Sequence, residues 1–208
     1  MRHSQTLVAI ALVAIVVAGC EKKTPREETP VNAKTAPETT VQQSSIGTPG
    51  ESVVSEFNRR VLEYLAVRQQ LAGTLKKVPD KATPLQVDAF QRALGALVAK
   101  ARADAKQGDV FVPEMQTFVR GLIRRVLAGQ DGPKIRASLM DENPMGVKIA
   151  VNDRYPDTVP MATMPPDVLA ALPKLPDDIQ YRFVGNRLIL FDVQSHLIVD
   201  FVDNTFDL

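Results

Sequence analysis

Apolar residues recur at three- and four-residue steps along three segments in the first two thirds of the chain. This spacing is typical of amphipathic α-helices, which bury one face and expose the other. The segments run from about Ser52 to Val78, from Thr83 to Gly108 and from Pro113 to Ala128, and residues 134–140 could add one or two further turns. Because the connections are short, the pattern predicts an antiparallel three-helix bundle over residues 51–140.

The second predicted helix has the clearest start signal. Thr83 can cap the helix, Pro84 suits its first turn, and Gln86 completes the spacing of a capping box. The first helix is predicted to stop before Pro79, because proline disfavours helical backbone at the preceding residue. Arg68 interrupts the apolar face of that first helix.

After Pro144 the helical periodicity is lost and strand patterns take its place. Strands are predicted at Ile179–Val184, Arg187–Val193 and Leu197–Val202, with Gly185-Asn186 as a two-residue hairpin turn. A weaker strand pattern spans 147–151, and a short helix is predicted over 165–172. The predicted fold class is therefore α+β: a three-stranded antiparallel meander in residues 141–208 packs on the helices, because strands that are apolar on both faces need a cover.

The N-terminal residues carry a different signal. Leu7 to Ala18 is an unbroken apolar run of twelve residues, too short for a membrane-spanning helix but suited to the core of a signal peptide. The run ends in Val17-Ala18-Gly19-Cys20, which resembles the lipobox of bacterial lipoprotein precursors. The resemblance implies that residues 1–19 are a signal peptide cut between Gly19 and Cys20. It also implies that the Cys20 thiol receives a diacylglycerol and that the new amino terminus is acylated as well, with acyl chains such as palmitate.

The residues that follow indicate where such an anchor would place the chain. Glu21 stands where an aspartate would favour retention in the inner membrane, so the resemblance implies the outer membrane, facing the periplasm. Residues 20–50 are rich in Thr, Pro, Ser, Gln and Glu without apolar periodicity, and they predict a disordered, lipidated tether. Cys20 is the only cysteine, so intramolecular disulfides and thiolate zinc sites are excluded.

Charge is unevenly distributed along the chain. Residues 51–140 carry 15 basic and 9 acidic side chains, whereas residues 141–208 carry 5 basic and 11 acidic ones. The two parts could dock on each other, the basic part could face anionic lipid, or the charges could simply be solvated. Arg120, Arg124 and Arg125 cluster on the third predicted helix and are the candidate partner contact. Nucleic acid is not an expected partner, because basic residues do not cluster with aromatic ones.

The C-terminal strands carry a second resemblance. It covers Leu172-Pro173-Lys174-Leu175-Pro176, then Tyr181 to Asn186, Leu188 to Asp192, and Ile198 to Val202. This succession is similar to a small module at the C-termini of exported, mostly uncharacterised bacterial proteins, including RcnB-like and CigR-like periplasmic proteins. RcnB-like proteins are linked to nickel and cobalt tolerance, which implies a metal-responsive accessory role as an alternative. The chain, with two histidines, lacks the histidine-rich region that such a role would need.

The sequence contains few groups of residues that could form a catalytic site. His196 stands beside Ser195 in a predicted turn, with Asp192 and Asp200 near in sequence. A hydrolase acting at His196 is therefore a second alternative, although a solvated turn histidine is the favoured interpretation. No cofactor or metal site is predicted. The sequence thus predicts a membrane-anchored, non-enzymatic envelope lipoprotein that binds another envelope protein or a surface polymer.

Overall fold

A computed structural model describes residues 49–144 and 146–206. The predicted signal peptide, the lipobox Val17–Cys20 and the predicted tether up to residue 48 lie outside the described residues. The elements, in chain order, are α1 (Pro49–Ala72), α2 (Pro84–Ala101), α3 (Pro113–Leu127), α4 (Gly132–Glu142), α5 (Pro166–Ala171), β1 (Ile179–Val184), β2 (Arg187–Asp192) and β3 (Leu197–Val202).

The described residues form a mixed helix and sheet fold, as predicted. The sheet is an open, three-stranded antiparallel meander in the order β1-β2-β3. The described part of the chain contains five helices, however, and the predicted three-helix bundle is not confirmed. The helix α3 contacts α1, α4 and α5, because α4 and α5 also bury apolar residues such as Leu139 and Val168. None of the described helices is both long and apolar enough to cross a bilayer.

Local signals set most of the helix ends. The predicted capping box of α2 is confirmed: the Gln86 amide N–H donates to the Thr83 hydroxyl at 3.3 Å, and the Thr83 N–H donates to the Gln86 side chain at 2.8 Å. The helix α1 ends at Ala72 rather than near Val78, because Gly73 follows and weakens the helix before Pro79 is reached. The helix α2 ends at Ala101 rather than Gly108.

The end of α2 makes a tertiary contact with Asn152. The Asn152 side-chain amide donates to the Arg102 carbonyl at 2.7 Å, and its oxygen accepts from the Arg102 guanidinium at 2.8 Å. The Arg102 carbonyl also accepts the Ala105 N–H at 2.9 Å, so the two Asn152 bonds add a tertiary contact at the end of α2. Asn152 itself adopts a left-handed φ of 67°. A residue fifty positions away therefore binds the end of α2, a contact that no local sequence signal could show.

The predicted strand at 147–151 does not form. The chain instead meets the edge of β3 a few residues later. The Asn152 N–H donates to the Ile198 carbonyl at 2.8 Å, the Ile198 N–H donates to the Asp153 carbonyl at 2.9 Å, and Arg154 forms an isolated bridge with Leu197. The left-handed turn at Asn152 breaks the extended backbone that a strand requires, so only short pairing remains.

Both faces of the sheet are buried. On one face, side chains of β1 and β2 join the helices in a single hydrophobic cluster, in which Phe57 stacks on Phe111 at 5.2 Å and Phe111 on Tyr181 at 6.5 Å between ring centres. On the other face, a second cluster around Ile189 and Phe191 is covered by apolar side chains from 147–161. The helices and this irregular segment together supply the cover that the apolar strands need.

A register shift in the β2–β3 pairing brings a carboxylate onto the helical side. Asp200 pairs with Leu190, and the shift follows before Phe191 pairs with Ile198. The buried Asp200 carboxylate accepts four backbone N–H bonds at 2.8–3.0 Å, from Gly108, Val110, Phe111 and Phe201. Burial raises the pKa of Asp200, and these bonds oppose the rise by stabilising the ionised form. Asp200 thereby ties the α2–α3 connection to β3.

Gly95 marks the closest approach between α2 and the sheet. A Cβ placed on Gly95 would lie 2.9 Å from the backbone oxygen of Ser195, whereas a Cβ on Gly121 of α3 would meet nothing within 4 Å. Both glycines lie inside helices, where alanine is favoured by about 0.5–1 kcal/mol. The difference between the two sites is therefore steric.

We expect Gly95→Ala to lower the free energy of unfolding by about 1–3 kcal/mol, because the added methyl group collides with a backbone oxygen that has little room to move. The matched control, Gly121→Ala, is expected to raise it by about 0.5–1 kcal/mol. Urea unfolding followed by circular dichroism measures both. Equal effects of the two substitutions would contradict the close approach.

Candidate functional site

The turn between β2 and β3, residues 193–196, gathers the polar side chains that the sequence singled out. Asp192 is fully buried and accepts hydrogen bonds from the Tyr64 hydroxyl at 2.6 Å, the Ser195 hydroxyl at 2.8 Å and the Gln194 N–H at 2.9 Å. Burial, together with the Asp192 charge, raises the pKa of Tyr64, so this hydroxyl stays protonated and donates. The Asp192 carboxylate is thus fully engaged by the fold.

Arg68 completes this arrangement from α1. It is only 4% exposed, donates to the Gln194 side chain and to Asp178 at 2.7 Å, and places its Nε 3.6 Å from the Asp192 carboxylate. A buried carboxylate needs such a countercharge, because an isolated charge in the core costs several kcal/mol. The interruption of the apolar stripe at Arg68 was the sequence signal of this role.

The sequence favoured a solvated turn histidine at position 196, and this prediction is wrong. The backbone of His196 turns the ring inward. It adopts a left-handed φ of 57°, and its side chain is 20% exposed. The ring packs edge-on against Phe191 at 5.1 Å and Tyr155 at 6.4 Å between ring centres. Its Nε2 lies 3.5 Å from an Asp157 oxygen.

The triad needed for the hydrolase alternative is not assembled here. Ser195 is fully buried, and its hydroxyl donates to Asp192 rather than to an imidazole. A nucleophile must be reachable by substrate and held against a base. The geometry around Ser195 therefore gives the hydrolase alternative no support.

Four charges surround the outer side of His196. Arg154 donates to Asp88 at 3.0 Å and to Asp157 at 2.9 Å, and Arg92 donates to the same two carboxylates at 2.8 and 2.7 Å. Two arginines and two aspartates balance, so this network carries no excess charge toward a ligand. Sequence reasoning missed it because its members come from α2 and from the irregular segment near 154–157, more than sixty residues apart.

The structure separates the three predicted contact arginines. Arg120 is half-buried and donates to the Asp203 carbonyl at 2.9 Å and to Gln116 at 3.2 Å, so it ties α3 to the end of the described chain. Arg124 and Arg125 are exposed. Two of the three cations therefore face solvent on α3 and are free to contact a partner.

The two edges of the sheet differ. The β3 edge is occupied by residues 152–155 and by side-chain bonds from Arg102 and Gln107 to its carbonyls. Within the described ranges, β1 pairs only with β2. On its outer side the Ile179 N–H donates to the Pro176 carbonyl at 3.0 Å, and the Arg182 guanidinium donates to the Tyr181 carbonyl at 3.3 Å. Beside β1 lies a groove of about 610 Å³, lined mainly by α5 and residues 172–177. Leu169, half exposed, stands in its wall.

Comparisons with known proteins add no assignment. The chain matches no protein-family model, no curated protein and no solved structure. Among residues 49–144 and 146–206, no three His, Cys, Asp or Glu side chains come together in a way that could hold a metal ion. Gly19 and Cys20, the predicted cleavage and lipidation residues, lie outside these ranges.

His196 should make stability depend on pH. Burial, aided by Arg154, lowers its pKa below the usual value, whereas the unfolded chain protonates it near pH ~6.5. The unfolded state then binds more protons, so the free energy of unfolding falls as the pH drops below about 6.5.

We expect the free energy of unfolding of His196→Asn to fall less steeply with decreasing pH than that of the parent chain, because asparagine tolerates the left-handed backbone but does not titrate. Urea unfolding of both proteins at about pH 7.5, 6.5 and 5.5 measures the two slopes. Parallel slopes for the parent chain and the variant would show that His196 is not the titrating group.

Proposed function

We propose that this chain is a cell-envelope lipoprotein, anchored by acyl chains on Cys20, whose described part is a non-enzymatic binding module for another envelope protein or a surface polymer. The observation that carries the proposal is the succession of an apolar run, the tetrad Val17-Ala18-Gly19-Cys20 and a polar, proline-containing stretch before α1. Stable anchoring takes about two acyl chains, which a diacylglycerol on the Cys20 thiol and an acylated amino terminus would supply.

The internal use of the reactive side chains supports a binding role. Asp192, Asp200 and Ser195 are fully buried and bonded within the fold, so none of these three side chains is presented to a substrate. The groups that remain available lie on the surface, at the edge of β1 and on the exposed side of α3. Such surfaces are typical of a module that recognises a partner by shape and charge.

Two surfaces fit such a partner. The β1 edge beside the 610 Å³ groove offers backbone groups and an apolar wall, the combination by which an extended segment can add a strand to a sheet. The exposed pair Arg124 and Arg125 on α3 suits an acidic partner. The metal-responsive alternative finds no ligand cluster in the described residues.

The anchor is tested at Cys20. Cells expressing the full chain and fed a labelled fatty acid are expected to label the parent protein at this residue, because Cys20 is the only thiol available for acylation. Cys20→Ala should abolish the label and accumulate the uncut precursor. Unlabelled parent protein, or labelled Cys20→Ala, would refute the anchor.

The partner surface is tested by cross-linking in intact cells followed by mass spectrometry. We expect Arg124→Glu with Arg125→Glu to reduce capture of the dominant envelope partner, because close charge pairs at an interface contribute on the order of 1.5–7 kcal/mol when formed. Arg120 is left in place, since it holds the Asp203 carbonyl. The control, Lys100→Glu with Lys148→Glu, reverses two exposed charges elsewhere.

The same capture experiment separates the two surfaces. Leu169→Glu places a charge in the groove wall, and its control, Met140→Glu, changes a residue of similar exposure on α4, 54% against 50%. Loss of capture with Leu169→Glu alone would assign the partner to the β1 groove. Capture that survives both surface variants would refute the proposed contacts.

A further inference from the structure

The connection between α1 and α2 and the first turn of α2 expose basic and apolar side chains close together in sequence. We define the basic tip as Lys76, Lys77, Lys81 and Leu85. All four side chains are exposed, and Leu85, at 77%, has the largest exposed fraction of the large apolar side chains that the structure describes. A large apolar side chain so exposed, in the same short connection as three exposed lysines, is unusual for a surface that faces only water.

The lysines of the tip outnumber the acidic residues beside them. Within the described ranges, none of the three forms an ion pair, in contrast to Arg59, Arg92 and Arg154, each of which pairs with a carboxylate. The one acidic residue between Lys76 and Leu85 is Asp80. The tip therefore presents a net positive charge that the fold does not use.

The tip is held in a fixed place rather than on a loose loop. Lys76 and Lys77 line a groove of about 340 Å³ together with Phe90 of α2. The Ala82 N–H donates to the Pro79 carbonyl at 3.0 Å, which forms a turn. The capping box at Thr83 then fixes the start of α2, two residues before Leu85. The lysines and Leu85 are thus held in a defined segment of the fold.

We propose that the basic tip docks on an anionic lipid surface, as a second membrane contact that is independent of acyl chains. Each lysine near an anionic bilayer contributes about 1 kcal/mol, and an exposed leucine can enter the boundary between headgroups and acyl chains. Charge complementarity selects this occupant, because an apolar partner would not require three exposed lysines, none in an ion pair with a described residue, within ten residues that also expose a leucine.

The chain outside the described residues is long enough to permit both contacts. The tip follows the C-terminal end of α1, whose 24 residues span about 36 Å. The 28 residues from Glu21 to Thr48 would reach about 30 Å as a random coil and at most about 87 Å as extended polyproline. An anchor at Cys20 is therefore compatible with a tip that touches the same bilayer.

A fluorescent probe near the tip tests the contact. The full-length chain carrying Ala89→Cys, an exposed site one helical turn beyond Leu85, is labelled with an NBD dye and incorporated into vesicles. In phosphatidylcholine vesicles containing phosphatidylglycerol we expect blue-shifted emission that doxyl-labelled lipid quenches. Vesicles of phosphatidylcholine alone should give neither effect. The same dye on Met140→Cys is the control position.

Charge variants decide whether the lysines cause docking. Replacing Lys76, Lys77 and Lys81 by Gln should lower the equilibrium constant for docking about fivefold per lysine, while replacing the exposed Lys100, Lys106 and Lys148 by Gln should leave it unchanged. Added salt should weaken docking of the parent chain. Equal emission on both vesicle types, or no loss in the tip variant, would overturn the proposal.

The experiment keeps this proposal apart from the one on Cys20. The parent chain without an added cysteine takes up dye only if Cys20 is unacylated, so labelling of the parent reports failure of the anchor. The probe at residue 89 reports the tip however the N-terminus is attached. A change in the emission of the probe that appears only when the envelope protein identified by cross-linking is added would make the tip a protein contact. That result would refute lipid docking.

Discussion

The fold depends on a small sheet that is apolar on both faces. Every residue of β3 is buried, as are five of the six residues of β2. Three strands cannot stand alone in water with two apolar faces, so each face must be covered. The helices cover one face and residues 147–161 the other. The helical and strand parts consequently share one core.

Two buried aspartates fix how the helices meet this sheet. Asp192 at the end of β2 is satisfied by Tyr64 and Ser195 and lies near Arg68, and Asp200 in β3 is satisfied by N–H groups of the α2–α3 connection. Apolar packing alone tolerates small slides between helices and sheet, whereas a carboxylate with several donors does not, because an unmade bond to a buried charge costs several kcal/mol. These bonds therefore specify one arrangement.

The sequence was informative wherever a structural choice is made locally. The capping box at Thr83, the Gly185-Asn186 turn and the three strands all follow from neighbouring residues. Contacts between distant residues could not be predicted in this way: Asn152 binds the end of α2, and the His196 ring packs against Tyr155. The candidate surfaces were predicted in part, since Arg124 and Arg125 are exposed but Arg120 is used internally.

The unequal edges of the sheet bear on what kind of partner the proposed binding module would take. An open edge strand invites uncontrolled pairing unless it is short or carries charge. The strand β1 has both protections, with six residues and Arg182 lying along it. The Arg182 guanidinium is bonded to the Gln180 side chain at 2.6 Å and to a backbone carbonyl, bonds that a side chain can give up without disturbing the core. A partner strand would have to displace Arg182 before it could pair with β1. This requirement favours reversible recognition by a segment that also fills the adjacent groove. It disfavours permanent assembly through the edge alone.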